Sequence, residues 1–350
     1  MEPMPFRVDD VRIQETKPLV PPAILIEEVP RSERASELMS AWRQTVREIV
    51  LGHDPRLLVV VGPCSVHDPD AVREYAARLK AATRGMDNLF VVVRTYFEKP
   101  RTVGGWKGFI NDPDHDGTHQ INKGLRQART MLRDIVEMGL PCATEFLDMT
   151  VPQHISDFIA WAAIGARTVE SQTHRELASG LSMPIGFKNA TDGRIQPAID
   201  AVVAASIPHW FASTTKQGVA SLSRSSGNDS CHVVLRGGAS GPNFAESFIQ
   251  ETATKLSAAG LPARVMVDCS HGNSGKDPAK QALVVDALVP QLATGAVLGV
   301  MIESHLVGGR QDVVEGRPRT YGQSVTDACL SLEDTVPLLA RLNDSAHPAM

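Results

Sequence analysis

The sequence predicts an α/β protein, a (β/α)8 TIM barrel over residues 51–345. An N-terminal extension occupies residues 1–50, and a β-hairpin is inserted at about 209–231, near the sixth strand. Three observations predict this. Eight short runs are apolar on both faces, as parallel strands covered by helices must be. Helix-compatible segments separate them, several closed by a glycine that suits a helix C-cap. Each run also delivers a polar or ionisable residue to its C-terminal end, where a barrel gathers its chemistry. A doubly wound open sheet is the rival that counting βα units leaves open.

The elements follow in order. In the extension, "KPLVPPAILIEEVP" sets prolines around one short β-like run, and a helix-like stretch follows from Ser32 to Leu51. The strand runs are "LLVVVG", "LFVVVR", "PCATEF", "ARTVES", "PIGFKN", "VVLRGG", "RVMVDCSH" and "VLGVMIES". Between them, "DAVREYAARLKAAT", "INKGLRQARTMLRDIVEMG", "VPQHISDFIAWAAIG", "QPAIDAVVAAS" and "FAESFIQETATKLSAAG" read as helices. The rhythm breaks between Pro208 and Cys231, where alternating β-branched residues and a Ser-Gly-Asn turn suggest the hairpin.

Composition limits the function. The chain has 350 residues, 43% hydrophobic and 21% charged, enough for a large core. A net charge of −5 argues against nucleic acid or a membrane surface as partner, so any cationic function is local. No run reaches the roughly 18 apolar residues of a membrane span. The start, "MEPMPFRVDD", lacks the pattern of a secretory signal. Five scattered cysteines without CxxC pairs fit free thiols in a reducing cytoplasm.

The strand ends carry the chemistry. The first run leads to Cys64 and the second to Arg94, with Lys99 and Arg101 behind it. The others give Glu145, Arg167, Lys188, Arg236, His271 and Glu303. One arginine after a strand is ordinarily a solvated loop charge. Arg94, Lys99, Arg167, Lys188 and Arg236 in one mouth repel each other unless an anion joins them. Arginine suits bidentate contact with phosphate or carboxylate, so the expected ligand carries two or more anionic groups. Cys64, His271 and Glu303 are ligand types for a first-row divalent ion, and Asp327 could complete four. The same residues also read as a buried thiol, a core-edge histidine and two solvated acids. "HGNSGKDP" lacks the spacing of a P-loop, and "GGWKG" lacks the Rossmann pattern.

The motifs "GPCSVHD", "RTYFEKPRT", "GWKGFINDP", "TEFLD", "GARTVESQTHRELASGLSMPIGFKN", "VLRGG", "DCSHGNS", "GVMIESHLVGGRQ" and "YGQSVTDAC" stand in order. Together they resemble class I 3-deoxy-D-arabino-heptulosonate 7-phosphate (DAHP) synthase of the short, feedback-regulated type. The likeness runs from about Asp9 to Leu342, and KPRT separates it from the sibling KDO 8-phosphate synthases. It implies a barrel that condenses phosphoenolpyruvate with erythrose 4-phosphate and releases phosphate, the first step of the shikimate pathway. It implies one divalent ion (Mn²⁺, Fe²⁺, Co²⁺ or Zn²⁺) on Cys64, His271, Glu303 and Asp327, acting as a Lewis acid on the sugar aldehyde. Phosphoenolpyruvate would meet Arg94, Lys99, Arg167, Lys188 and Arg236, with Glu145 and the backbone at Ala166 nearby. Erythrose 4-phosphate would meet Arg101 and Thr102. Lys99 would protonate the new alkoxide and Glu145 would handle the attacking water. Two alternatives are condensation with a five-carbon sugar phosphate and a non-catalytic effector-binding barrel.

The resemblance also implies feedback inhibition by an aromatic amino acid and a homodimer or homotetramer. The matching effector positions are Pro152, Gln153, Leu177, Leu181, Ser182, Phe211 and Ser213, with Asp9 and Asp10 from a neighbouring subunit's arm. Serine at Ser182 favours phenylalanine over tyrosine. Cys64, expected as a low-pKa thiolate at the mouth, is expected to be oxidation-sensitive without metal, with Cys329 as its disulfide partner.

Overall fold

Strands that are apolar on both faces need cover inside and out, and here they close on themselves. The structure is a computed structural model that describes residues 8–314, 316 and 318–346. After helices α1 (Pro22–Glu28) and α2 (Glu33–Leu51), strand β1 (Leu57–Gly62) is followed by α3 (Pro69–Ala82) and β2 (Leu89–Arg94). Then come α4 (Ile121–Glu137), β3 (Cys142–Glu145), α5 (Pro152–Ile155), β4 (Trp161–Ile164), α6 (Gln172–Gly180) and β5 (Ile185–Lys188). Helix α7 (Gln196–Ala205) leads into the hairpin strands β6 (Trp210–Thr214) and β7 (Ala220–Arg224), and then to β8 (His232–Leu235). Helix α8 (Glu246–Ala258), β9 (Val265–Asp268), α9 (Lys280–Leu288) and β10 (Val297–His305) complete the ring. Short strands β11 (Val307–Arg310), β12 (Gln323–Ser324) and β13 (Leu330–Ser331) precede α10 (Leu332–Ser345).

The ring order is β1-β2-β3-β4-β5-β8-β9-β10, every pair parallel, and β10 returns to β1 with Gly62 opposite Glu303. This is a closed (β/α)8 barrel. Side chains that alternate along each strand feed two cores. Leu58, Val60, Val92, Ala143, Trp161, Ala163, Val234 and Met266 fill the interior, while Val59, Val61, Val93 and Val233 pack outward against helices. Val46, Ile49 and Val50 of α2 join the interior set, so α2 closes the barrel's N-terminal end. The opposite end stays open for the site.

Three expectations change. The fourth strand is Trp161–Ile164, not "ARTVES", whose residues form the turn after it. The helix read across "VPQHISDFIAWAAIG" is one turn, α5, then a 3-10 turn over Ser156–Phe158, then β4. A fully buried strand lacks alternation, and its alanines also suit helices, so periodicity could not separate the two. The β-like run in the extension is α1, with Pro22 in the first turn, where its missing N–H costs nothing.

The hairpin precedes the sixth barrel strand and pairs Trp210 with Arg224 through Thr214 with Ala220. Its reversal is Thr215–Val219, where Gly218 takes a positive φ of 80°, and not the Ser-Gly-Asn segment. The Ala23 N–H donates to the Lys216 carbonyl at 2.6 Å, and Ser179 Oγ lies 2.7 Å from Ser225 Oγ. Thus α1 and α6 both hold the hairpin. Among the described residues no helix is long and apolar enough to cross a membrane.

Candidate active site

The strand ends of the barrel surround a cavity of about 700 Å³. Arg94, Lys99, Arg101, Glu145, Ala166, Arg167, Lys188, Arg236, His271 and Asp327 all line it. Arg167 arrives although its strand was misplaced, because β4 ends only three residues before it. Thr102 lies exposed in the loop after Arg101. Gly165 makes room for Glu145, since a Cβ there would stand 2.6 Å from Glu145 Oε1.

The cations divide into two groups. Arg94 is fully buried, with Nη2 3.0 Å from Glu303 Oε1 and Nη1 donating to the Cys64 carbonyl at 2.7 Å. Lys188 Nζ lies 3.2 Å from Asp268 Oδ2 and 3.7 Å from Glu145 Oε2. Protein carboxylates therefore offset part of the charge that sequence reasoning assigned wholly to a ligand. Arg101, Arg167 and Arg236 differ. Among the described residues no carboxylate lies within ion-pair distance of them. They are the positive groups available to an incoming anion.

The donor set lies on one wall. Cys64 Sγ and one oxygen each of Glu303 and Asp327 lie within 4.8 Å of one another. His271 Nε2 is 3.7 Å from Glu303 Oε1. Its Nδ1 lies 2.8 Å from Ser270 Oγ and 2.9 Å from Asp268 Oδ2, contacts that fix the ring and turn Nε2 toward the cluster. His271 adopts φ 53°, a left-handed conformation uncommon outside glycine, to make this approach. Glu303 Oε1 is buried and accepts no aligned hydrogen bond. One sulfur, one imidazole and two carboxylates, one with a buried oxygen that Arg94 faces without an aligned hydrogen bond, fit a first-row divalent ion.

Charge coupling follows from this packing. Burial pushes the Asp327 carboxyl up, but Lys99, Lys276 and His271 outweigh it and hold the group below the usual carboxylate range. Burial disfavours charge on Lys99, yet Cys64 and Glu303 raise it overall. The Cys64 expectation needs correction. Its side chain is fully buried, and burial, followed by Glu303, raises the thiol despite Lys99 at 3.1 Å. Cys329 is its neighbour, with Sγ 3.3 Å from the Cys64 nitrogen, and both are free thiols.

Several site residues escaped the sequence reading. Asp268 is buried between Lys188 and His271, and burial is overcome by those two partners, which hold it well below its ordinary value. It ends β9, so taking the last residue of the strand rather than the end of the quoted run would have found it. Glu98 lines the cavity, and burial, with Asp148 next, pushes its carboxyl up to about 8. Lys276 places Nζ 3.4 Å from Asp327 Oδ1.

Of the expected effector positions, Phe211 and Ser213 lie on the hairpin, and several others lie on elements it touches. Leu177 is buried in α6, and Phe211 packs against its end, 3.4 Å from where a Gly180 Cβ would stand. Lys216 Nζ donates to the Gln153 carbonyl at 2.6 Å, joining the hairpin to α5, which starts at Pro152. Leu181 packs against the outer core. Ser182 is exposed in a groove with Arg31, Arg43 and Arg47, while Ser213 is half-buried in β6. Asp9 and Asp10 are exposed in the arm.

A parallel barrel with this cleft across its strand ends is a (β/α)8-barrel enzyme of small-molecule chemistry. Residues 29–340 match the DAHP synthetase I family, and the chain belongs to it. It is 53% identical over 342 residues to the Phe-sensitive phospho-2-dehydro-3-deoxyheptonate aldolase of Escherichia coli K12, covering 97% of each. To the phospho-2-dehydro-3-deoxyheptonate aldolase of Haemophilus influenzae it is 50% identical, covering 96% of this chain and 94% of that one. The solved structure of phospho-2-dehydro-3-deoxyheptonate aldolase from Francisella tularensis superposes with a TM-score of 0.93 at 51% identity. That match covers 95% of this chain and 98% of that one.

Proposed function

We propose that this chain condenses phosphoenolpyruvate with erythrose 4-phosphate to give DAHP and inorganic phosphate, with one divalent metal ion as cofactor. The observation that carries the reading is the juxtaposition of unpaired Arg101, Arg167 and Arg236 with the Cys64, His271, Glu303 and Asp327 donor set. Two phosphorylated substrates need cations to bring them together, and three arginines without carboxylate partners, Arg101 and Arg236 donating only to the Trp106 and Gly237 carbonyls, supply that at the cavity rim. Arg167, Arg236 and Lys188 would hold phosphoenolpyruvate, with Arg94 and Lys99 beneath it and Glu145 and the Ala166 backbone beside it. Arg101 and Thr102 would receive the sugar phosphate.

The metal, when bound, supplies Lewis acidity to the aldehyde oxygen. Lys99 stands 3.1 Å from Cys64 Sγ, at the edge of the donor set, where its ammonium proton can pass to the alkoxide oxygen formed by carbon–carbon bonding. Glu145 lines the cavity 3.7 Å from Lys188 Nζ and would orient the water that attacks carbon 2 before phosphate leaves. The arm and hairpin form the inhibitor site, phenylalanine being the favoured effector, in keeping with the Phe-sensitive relative. A dimer or tetramer would bring Asp9 and Asp10 to a neighbour's site.

Phosphate release from phosphoenolpyruvate tests the reaction, run with erythrose 4-phosphate and separately with a five-carbon sugar phosphate. Turnover is expected with the four-carbon sugar, abolished by exhaustive chelation and restored by added Mn²⁺. Preference for the five-carbon sugar, or full activity after chelation, would overturn the assignment.

A further inference from the structure

We propose that Gln281 is a positioning residue that sets the direction of Glu303 and thereby the affinity of the site for its divalent ion. The proposal rests on the metal reading above and concerns how the chain holds one of that metal's ligands. Strand β10 runs to His305, but its partner β9 stops short. The last register pair is Met301 with Asp268, and the last backbone bond on that flank runs from the Cys269 N–H to the Met301 carbonyl at 2.8 Å. In a parallel ladder every second residue faces the same neighbour. Glu303, two residues on, therefore turns its backbone toward a strand that has already ended.

Gln281 occupies that place. It lies in the first turn of α9 and is fully buried. The Glu303 N–H donates to Gln281 Oε1 at 2.8 Å, and Gln281 Nε2 donates to the Glu303 carbonyl at 3.0 Å. A primary amide carries the donor and acceptor of a peptide group, so it extends the ladder by one residue. With β1 on the other flank, where Gly62 opposes Glu303, the ligand's backbone is fixed from both sides. The side chain then has one direction, toward Arg94 Nη2 at 3.0 Å and His271 Nε2 at 3.7 Å. The loop that carries His271 leads straight into α9, so Gln281 also ties the backbone around one ligand to the backbone of another.

Gln281→Met keeps the volume and removes both bonds, while Gln281→Glu keeps the acceptor for the Glu303 N–H. Gln291→Leu is the control. Gln291 is a buried amide that donates to the Ala287 carbonyl at 2.8 Å and the Phe244 carbonyl at 3.2 Å, away from Glu303. Co²⁺ affinity would be read by chelator competition and by the Co²⁺–thiolate absorption, with the melting temperature of the metal-free protein alongside. The expected result is about 10- to 100-fold weaker binding for Gln281→Met. A smaller loss is expected for Gln281→Glu, and unchanged affinity for Gln291→Leu despite a lower melting temperature. If either Gln281 variant folds and binds Co²⁺ within about twofold of wild type, Gln281 is a packing residue only. Should the wild type itself bind no Co²⁺, the metal reading fails, and this proposal with it.

Discussion

Arg94 has almost no contact with water, so its charge is held by the protein alone. Glu303 Oε1 lies 3.0 Å away, and the guanidinium stacks 3.8 Å from the centre of the Tyr96 ring. Removing one partner of such a pair leaves the other buried and uncompensated, which costs about 3–5 kcal/mol. Arg94→Met should therefore destabilise the metal-free protein by that amount in urea unfolding. Arg94→Met with Glu303→Gln should recover most of it. A single substitution costing less than about 1 kcal/mol would mean that Glu303 finds another partner. As a strand-end cation Arg94 was legible in the sequence. Its pairing with Glu303 was not, because nothing in spacing joins side chains from β2 and β10. Cys64 shows the same limit: its motif pointed to a ligand type, but the burial that raises its pKa appears only after the barrel closes. Gln281 was invisible for a related reason, since a strand's early end is a property of the closed sheet.

Short runs such as "LFVVVR" and "RVMVDCSH" were legible because valines recur in their apolar stretches and turn signals bound them. "WAAI" was not, because alanines carry no strand preference: Ala163 shares the barrel interior with Trp161, whose Nε1 donates to His232 at 3.1 Å, while Ala162 packs outward against the helices. The extension illustrates how elements are anchored. The Val20 N–H donates to Asn122 Oδ1 at 2.8 Å, and the Val20 carbonyl meets His154 Nε2 at 2.8 Å. With the Pro18 carbonyl accepting from Asn122 Nδ2 at 3.0 Å, the chain is tied to the barrel from Pro18 onward, whereas the side chains of residues 8–19 are exposed. Deleting residues 1–15 should leave the melting temperature and the uninhibited rate nearly unchanged. The same deletion should abolish inhibition by phenylalanine, measured as the concentration for half-inhibition beside tyrosine and tryptophan. Allosteric control requires that the effector bind two conformations unequally. Inhibition that survives the deletion would remove the arm from the inhibitor site, and its absence from the intact enzyme would remove the regulatory reading altogether.

Across the molecule, three histidines sit where burial denies them a charge. Burial lowers His232 and His67 to about 4 and His305 to about 3, with the neighbouring His67 adding to the effect on His305. At His232, Trp161 donates to Nε2, the atom a second proton would need, while Nδ1 faces the Ser230 carbonyl at 3.2 Å, a contact that works against the lowering by burial. An unfolded histidine titrates near 6.5. Each folded pKa lies below that, so the unfolded chain binds more protons than the native one between about pH 6.5 and 4. The histidines' contribution to stability is therefore complete above pH 6.5 and falls as acid is added, at up to about 1.4 kcal/mol per pH unit for each. Urea unfolding at pH 7, 6 and 5 measures the slope. Glu98, pushed up to about 8, keeps a proton in the native state that the unfolded carboxyl releases. Net uptake near pH 5 should therefore fall about one proton short of the three the histidines take up. Replacing His232 by glutamine should flatten it by about one proton while lowering stability at pH 7 through the disturbed contact with Trp161. Uptake of less than one proton between pH 6 and 5 would show that these rings accept charge inside the fold, through water or local opening.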